Sequence, residues 1–277
     1  MKFGIVYKEE KEAAGKSAKT AKDFAKRATE FLKKKGHEVL GEKDLKASEV
    51  IVTFGGDGTL IHKACEYAPL GVPFVGINTG RVGFLTTAEA GDWQKALEKL
   101  SRGEYLISKR MTIEASLSRR TTNDKRLTTF RAVNEVVIKG LYRVVDLEVN
   151  VGDEKLLRVL GDGVILSTQT GSTAYSLSAG GPIVDPNLDS ILVTPINPIG
   201  LPIPSVVLSP DDQILIKALK GDDMSLIIDG QEHTKLSEGE EVRVNKGKYN
   251  VKFGYFSKNH FLHALNAKFG LAGRVGS

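Results

Sequence analysis

The chain has very little cysteine and no long apolar run. Its one cysteine, Cys65, excludes an internal disulfide and offers no thiolate cage for a metal, which suits a reducing compartment. No run of 18 apolar residues and no signal-peptide pattern opens the chain, so a cytoplasmic protein with no membrane partner is expected. There is no GxxxxGK[ST], which removes the P-loop mechanism. There is also no GxGxxG after a strand, so the usual hydride-transfer fingerprint is missing. Neither sign of charge dominates: 39 basic against 34 acidic residues leave +5, a mild excess that suits anionic small molecules or nucleic acid and decides neither.

The 277 residues, 41% of them apolar, suffice for one large domain or two ordinary ones with buried cores. KFGIVY (2–7) reads as a buried strand. Over 12–35 the apolar residues Ala14, Ala18, Ala21, Phe24, Ala25, Ala28, Phe31 and Leu32 keep three- and four-residue steps, one stripe of a helix that Gly36 ends. Lysines cover the other face and read as a solvated surface, so no nucleic-acid partner is expected. A strand near Val39, a strand over 50–54, a helix from Thr59, the strand VPFVGIN (72–78) and a helix around 93–100 follow. This alternation predicts an α/β N-terminal domain with a mostly parallel, doubly wound sheet. Ligands of such sheets sit beyond the carboxyl ends of strands, where Asp57 and Asn78 fall.

After Tyr105 the period becomes two, from Met111 to Ser118. The stretches LTTFRAVNEVVIKG, VVDLEVNV, GVILST, MSLIIDG, EVRVNK and YNVKF read as strands of a β-rich, two-sheet domain, with RRTTNDKR (119–126) as a hairpin tip. HFLHALNAKFG resumes helical spacing and is expected to pack back on the first domain. The expected division is 1–105, 106–255 and a helical tail, 256–277.

Three constellations carry chemistry. In GGDGT, Gly55, Gly56 and Gly58 leave amides open to a phosphate, and Thr59 opens a helix whose N-terminus favours anions. Asp57 repels a phosphate, but it can hold a hydroxyl, accept its proton, or bind a magnesium ion that screens phosphates. Phosphoryl transfer onto an alcohol is the chemistry this combination suits; a plain helix cap is the alternative. In FRAVNEVVI, Asn134 and Glu135 interrupt an apolar strand, and an amide there suits a base edge or ribose hydroxyls. In GDGVILSTQTGSTAYSLSAGGPIVDP (161–186), a strand ends at Ser167, hydroxyls crowd the start of a short helix that Ser172 or Thr173 can cap, and Gly180, Gly181 and Pro182 end it. Tyr175 adds a flat surface for a base. His62 and Lys63 read as exposed helix positions, and His62 with Cys65 is too few ligands for a metal site.

GGDGT (55–59), NE (134–135) and TGSTAYSLSAGGPI (170–183), with GINTGRVGFLT (76–86), stand in the order and approximate spacing of NAD kinases, and the chain resembles the compact prokaryotic members over nearly its whole length. That resemblance implies phosphorylation of the 2′-hydroxyl of the adenosine ribose of NAD by ATP or another phosphoryl donor, with a divalent metal, Mg2+, and a homodimer or homotetramer. It implies an NAD site between the two domains. It makes Asp57 the proton acceptor and, with Gly58, part of that site. Asn134, Glu135, Asp162, Thr173, Ala174, Tyr175, Ser176, Leu177, Ser178 and Gln231 would touch NAD, and Arg143 falls where a variable basic contact usually lies. Gln169 replaces a usual proline, and Ile199 and Gly200 replace a pair that often carries His or a hydroxyl, which puts subunit contacts or adenine-side details in doubt. GGDGT is shared with diacylglycerol-type lipid kinases, and a non-catalytic NAD(P)-binding sensor is the other alternative. Either would separate from the kinase by whether NADP forms.

Overall fold

The computed structural model describes residues 1–7, 16–80, 83–120 and 125–270. They form two compact units, one of residues 1–109 with the segment from Val251 onward, the other Arg110–Asn250.

Unit 1 is a sheet covered by helices. β1 (Lys2–Tyr7), β2 (Glu38–Leu40), β3 (Val50–Gly55) and β4 (Phe74–Asn78) lie in the order β2-β1-β3-β4, all parallel, and the two-residue β5 (Ala88–Glu89) runs parallel to β4. Their letters are apolar throughout because both faces are covered. Val52, Phe54, Val75 and Ile77 pack with α1 (Lys16–Lys34) and α3 (Trp93–Ser101), while Gly76, on the opposite face, lies against Leu60 of α2 (Asp57–Glu66). The stripe Ala21, Ala25, Ala28 and Leu32 of α1 is buried, and Gly36, at φ +78°, turns the chain out of the helix. The expected start of this helix, near Glu12, lies outside the described residues. β1 leads outward to β2 and the chain returns to β3 on the other side, so the strand order reverses between β1 and β3. The carboxyl end of β3 is GGDGT.

β6 (Leu106–Arg110) and a late strand, β19 (Val251–Tyr255), extend this sheet in the order β4-β19-β6, with β19 parallel to β4. Residues 251–255 were expected in the β-rich half. The structure corrects this: Val251, Phe253 and Tyr255 bury their side chains in unit 1, and period-two letters do not say which sheet a strand joins. α5 (His260–Phe269) follows in the same unit, so the tail does pack on the first domain.

Unit 2 is two six-stranded antiparallel sheets around one core. The first is β11 (Glu154–Gly161), β10 (Val145–Val151), β15 (Ile214–Lys220), β18 (Glu241–Lys246), β7 (Ile113–Arg120) and β8 (Lys125–Ala132), in that spatial order. The second is β14 (Val206–Leu208), β13 (Ile191–Ile196), β12 (Gly163–Thr168), β9 (Glu135–Gly140), β16 (Met224–Ile228) and β17 (Gln231–Leu236). Leu147, Val149 and Ile216 of one sheet interdigitate with Val136, Ile138 and Leu166 of the other. The expected hairpin tip falls largely on 121–124, outside the described residues. No described helix is long and apolar enough to cross a membrane.

Candidate active site

In unit 1 the helix opens two residues earlier than Thr59. Asp57 is its first residue, behind Gly56 in extended conformation, so the carboxylate sits in the first turn, where the helix dipole favours negative charge. Its oxygens face the loop after β4. Oδ2 accepts the Phe84 N–H at 2.5 Å, and Oδ1 accepts those of Leu85 (3.2 Å) and Thr86 (3.1 Å). A carboxylate has about four lone-pair sites. Described residues take three, and the one they leave open is on Oδ2.

Glycines divide here by what they face. A Cβ on Gly83 would overlap the Asp57 carboxylate, and one on Gly55 would stand 2.6 Å from Thr59 Oγ1. Among the described residues, Gly56 and Gly58 meet nothing within 4 Å. Of the three motif glycines, only Gly55 is thus held to glycine by contacts among the described residues. Asn78, buried at the end of β4, donates its amide to Glu89 at 3.1 Å. Lys63, expected exposed, is instead mostly buried and pairs with Glu42 (3.1 Å) and Glu66 (3.2 Å); His62 is exposed.

In unit 2, Asn134 and Glu135 are not inside one strand. β8 ends at Ala132 and β9 begins at Glu135, so Val133 and Asn134 make the corner where the chain changes sheets. The corner is held by Asp229, whose carboxylate accepts the N–H groups of Val133 (2.8 Å), Asn134 (2.8 Å) and Glu135 (3.0 Å). Asn134 and Glu135 are 9% and 5% exposed, and Asn134 Oδ1 and Glu135 Oε2 have no hydrogen-bond partner among the described residues. Leaving such atoms unmade costs about 1–3 kcal/mol each, so both invite a ligand's donors. Burial pushes the Glu135 carboxyl up to about 8, and the Asp229 carboxylate beside it adds to this, against a hydrogen bond from the Tyr175 backbone.

The hydroxyl-rich segment closes on this corner. A Cβ on Gly171 would strike the Asn134 backbone, so the approach requires glycine. The segment is a single 3₁₀ turn over Gly171–Thr173 and then a four-residue helix, α4 (Tyr175–Ser178), neither capped by a side chain. The expected caps do other work. Ser172 Oγ donates to Gln169 O at 2.8 Å and accepts Val184 N–H at 3.1 Å, and Thr173 Oγ1 donates to Thr170 O at 3.4 Å; Ser176, not one of those caps, shares a hydrogen bond with Thr194 at 2.9 Å. Thr168 was not singled out by sequence. Its buried hydroxyl donates to Val133 O (2.6 Å) and accepts the N–H groups of Thr170 and Gly171 (both 3.1 Å). Thr173, Ala174, Tyr175 and Leu177 are half-buried, while Ser178 is exposed. Gln231 is exposed and pairs with Ile228 across the Asp229–Gly230 turn.

Asp162 and Arg143 stand elsewhere. Glu135 lies opposite Ser167 at one end of the β9–β12 ladder, and Asp162 precedes Gly163 at the other. Five residues at about 3.3 Å each put Asp162 roughly 16 Å along the strand from Ser167. Asp162 accepts the Asn197 amide at 2.8 Å, and exposed Arg143 lies 3.5 Å from Asp222. Among the described residues no group of three or more His, Cys, Asp or Glu side chains is placed to hold a metal ion.

The sequence profile of the ATP-NAD kinase N-terminal domain matches residues 4–105, and that of the ATP-NAD kinase C-terminal domain matches residues 133–255. The NAD kinase of Symbiobacterium thermophilum is 41% identical over 240 residues, 83% of this chain and 84% of that protein. The NAD kinase of Natranaerobius thermophilus is 39% identical over 234 residues, 83% of this chain and 79% of that one. An NAD kinase from Archaeoglobus fulgidus, solved in complex with ATP, superposes with a TM-score of 0.74 at 26% identity, covering 100% of both chains. Yeast NADH kinase complexed with NADH shares the fold, with a TM-score of 0.80 at 23% identity over 100% of this chain and 90% of that one.

Proposed function

The chain belongs to the NAD kinase family, and we propose that it transfers the γ-phosphoryl group of ATP to the 2′-hydroxyl of the adenosine ribose of NAD, giving NADP and ADP. Asp57 carries this reading: a carboxylate at the end of a central strand, oriented by three amides, with one lone pair left on Oδ2 to take a proton. The hydroxyl gives its proton to Asp57 as its oxygen bonds to the γ-phosphorus. The bond to the β-phosphate oxygen breaks and ADP leaves. Such transfer needs positioning and charge screening more than covalent help, which fits a carboxylate held firmly by three amides. Gly56 and Gly58 leave bare backbone beside it for phosphate groups. With no side-chain cage among the described residues, a magnesium ion would enter on the triphosphate, with Asp57 as the nearest carboxylate of the motif, and would screen phosphate charge.

The dinucleotide contacts belong to the corner of unit 2, where Asn134 and Glu135 offer unpaired buried oxygens beside Thr173, Ala174, Tyr175, Ser176, Leu177, Ser178 and Gln231. Asp162 and Arg143 lie too far along the ladder to touch the same sugar. We assign them to a dinucleotide bound by a second copy in a homo-oligomer. The exposed apolar residues Tyr142, Leu160, Ile199 and Leu201 on unit 2 support such an assembly. The protein incubated with NAD, ATP and magnesium is expected to form NADP, read with an NADP-specific dehydrogenase, and to leave diacylglycerol untouched. Tight NAD binding without NADP would overturn the proposal. Asp57→Asn should keep NAD affinity within several-fold and lose about 10²–10⁴-fold in turnover; near-normal turnover would show that another group takes the proton.

A further inference from the structure

We propose that unit 1 holds a second small-molecule site, for an organic phosphate, in the cavity between α3 and α5, and that its occupant acts on Asp57 through the loop 83–87. The cavity measures about 510 Å³, within the usual range for ligand sites and too large for a bare phosphate ion. It exists because Ala88, Ala96, Ala264 and Ala267 face one another where larger side chains would meet. Phe256 supplies an apolar wall for an organic body.

The lining sets Glu89 and Asp92 against Lys95 and Lys99, and what distinguishes them is which have partners. Glu89 is engaged by the Asn78 amide at 3.1 Å, and Asp92 by Lys95 at 3.1 Å. Lys99, whose ammonium lies 5.2 Å from the centre of the Phe256 ring, forms no ion pair among the described residues. His263 is exposed and His260 half-exposed at the same cavity. An ammonium and two imidazoles around an apolar wall are the partners that a phosphoryl group on a carbon skeleton asks for.

The far wall of the cavity is the loop that orients Asp57. Gly83, Thr86 and Thr87 line it, and Thr86 is one of the three amide donors to the carboxylate. His260 stacks on Tyr255 with ring centres 4.2 Å apart, and its Nε2 lies 3.1 Å from Phe84 O, the carbonyl of another donor residue. A ligand that draws His260 toward its phosphate therefore pulls on the peptide next to the Asp57 clamp.

Ribose 5-phosphate is the probe, and histidine ring signals in NMR spectra give a readout independent of kinase activity. The chain has five histidines, so His→Gln variants assign them. The expected result is a saturable shift of the His260 and His263 signals. Lys99→Ala should weaken it roughly tenfold or more. Ala267→Trp, at an exposed position that fills the cavity, should abolish it and leave NADP formation without the probe unchanged. The rate of NADP formation in the wild type should change with probe saturation, and in Ala267→Trp should not. No shift, or a shift indifferent to both variants, overturns the site. Binding with no change in rate overturns the coupling to Asp57.

Discussion

A methyl group on Gly83 would occupy the space of the Asp57 carboxylate, so Gly83→Ala forces either the acid or its loop to move. Turnover is expected to fall roughly hundredfold or more, with a smaller change in the NAD Michaelis constant, because orientation is lost before binding is. Urea unfolding should show a cost of about 1–3 kcal/mol for the disturbed hydrogen bonds. Gly56 offers the contrast. Among the described residues a side chain there meets nothing within 4 Å, so Gly56→Val should cost only its weaker N-cap preference, about 1 kcal/mol, in urea unfolding and raise the Michaelis constants for ATP or NAD. A stability loss with unchanged constants would place the demand for glycine in the fold instead. Asp57 itself was legible, since a carboxylate among glycines at a strand end has few structural uses. Its partners were not, because a backbone N–H is written in no letter and the three donors lie 27 to 29 positions away.

The corner between β8 and β9 shows where element-scale reading runs out. AVNEVV stays apolar on both sides of its polar pair, so it reads as one strand. The break is imposed by Asp229, more than 90 residues away, whose carboxylate takes up the amides that a continuing ladder would have used. A signal existed: Asp-Gly between two apolar strands marks a tight hairpin, and Asp229 and Gly230 take positive φ, +46° and +78°. The second function of that aspartate has no pattern. Burial of Glu135 at this corner carries a pH consequence. A carboxyl raised from 4.5 to about 8 on folding keeps its proton where the unfolded chain has lost it, so the folded state binds more protons between those values. Its contribution is therefore fully present at low pH and is lost as pH rises through about 8. Urea midpoints of the unliganded protein are expected to fall across about pH 5 to 8, and Glu135→Gln, which cannot titrate, should flatten that decline. An unchanged slope would mean that Glu135 is ionised in the folded chain.

At the scale of the molecule the two units differ in how the chain builds them. Unit 2 is one uninterrupted segment, whereas unit 1 takes β19 and α5 from beyond it. The fragment 110–250 is expected to fold alone, with dispersed amide NMR signals and a cooperative urea transition. The fragment 1–109 lacks the strand between β4 and β6 and should show neither. The α/β and β-rich halves were legible because periods of 3.6 and 2 are local properties. The return of 251–255 was not, since joining a distant sheet edge leaves no local trace. During synthesis, the residues carrying Asp57 emerge before unit 2 and yet must wait, their sheet missing an inner member until the strand that follows unit 2 has been translated. A nascent copy stalled short of residue 251 would expose an apolar strand edge, a natural target for chaperones, so phosphate chemistry waits on the arrival of the segment after unit 2.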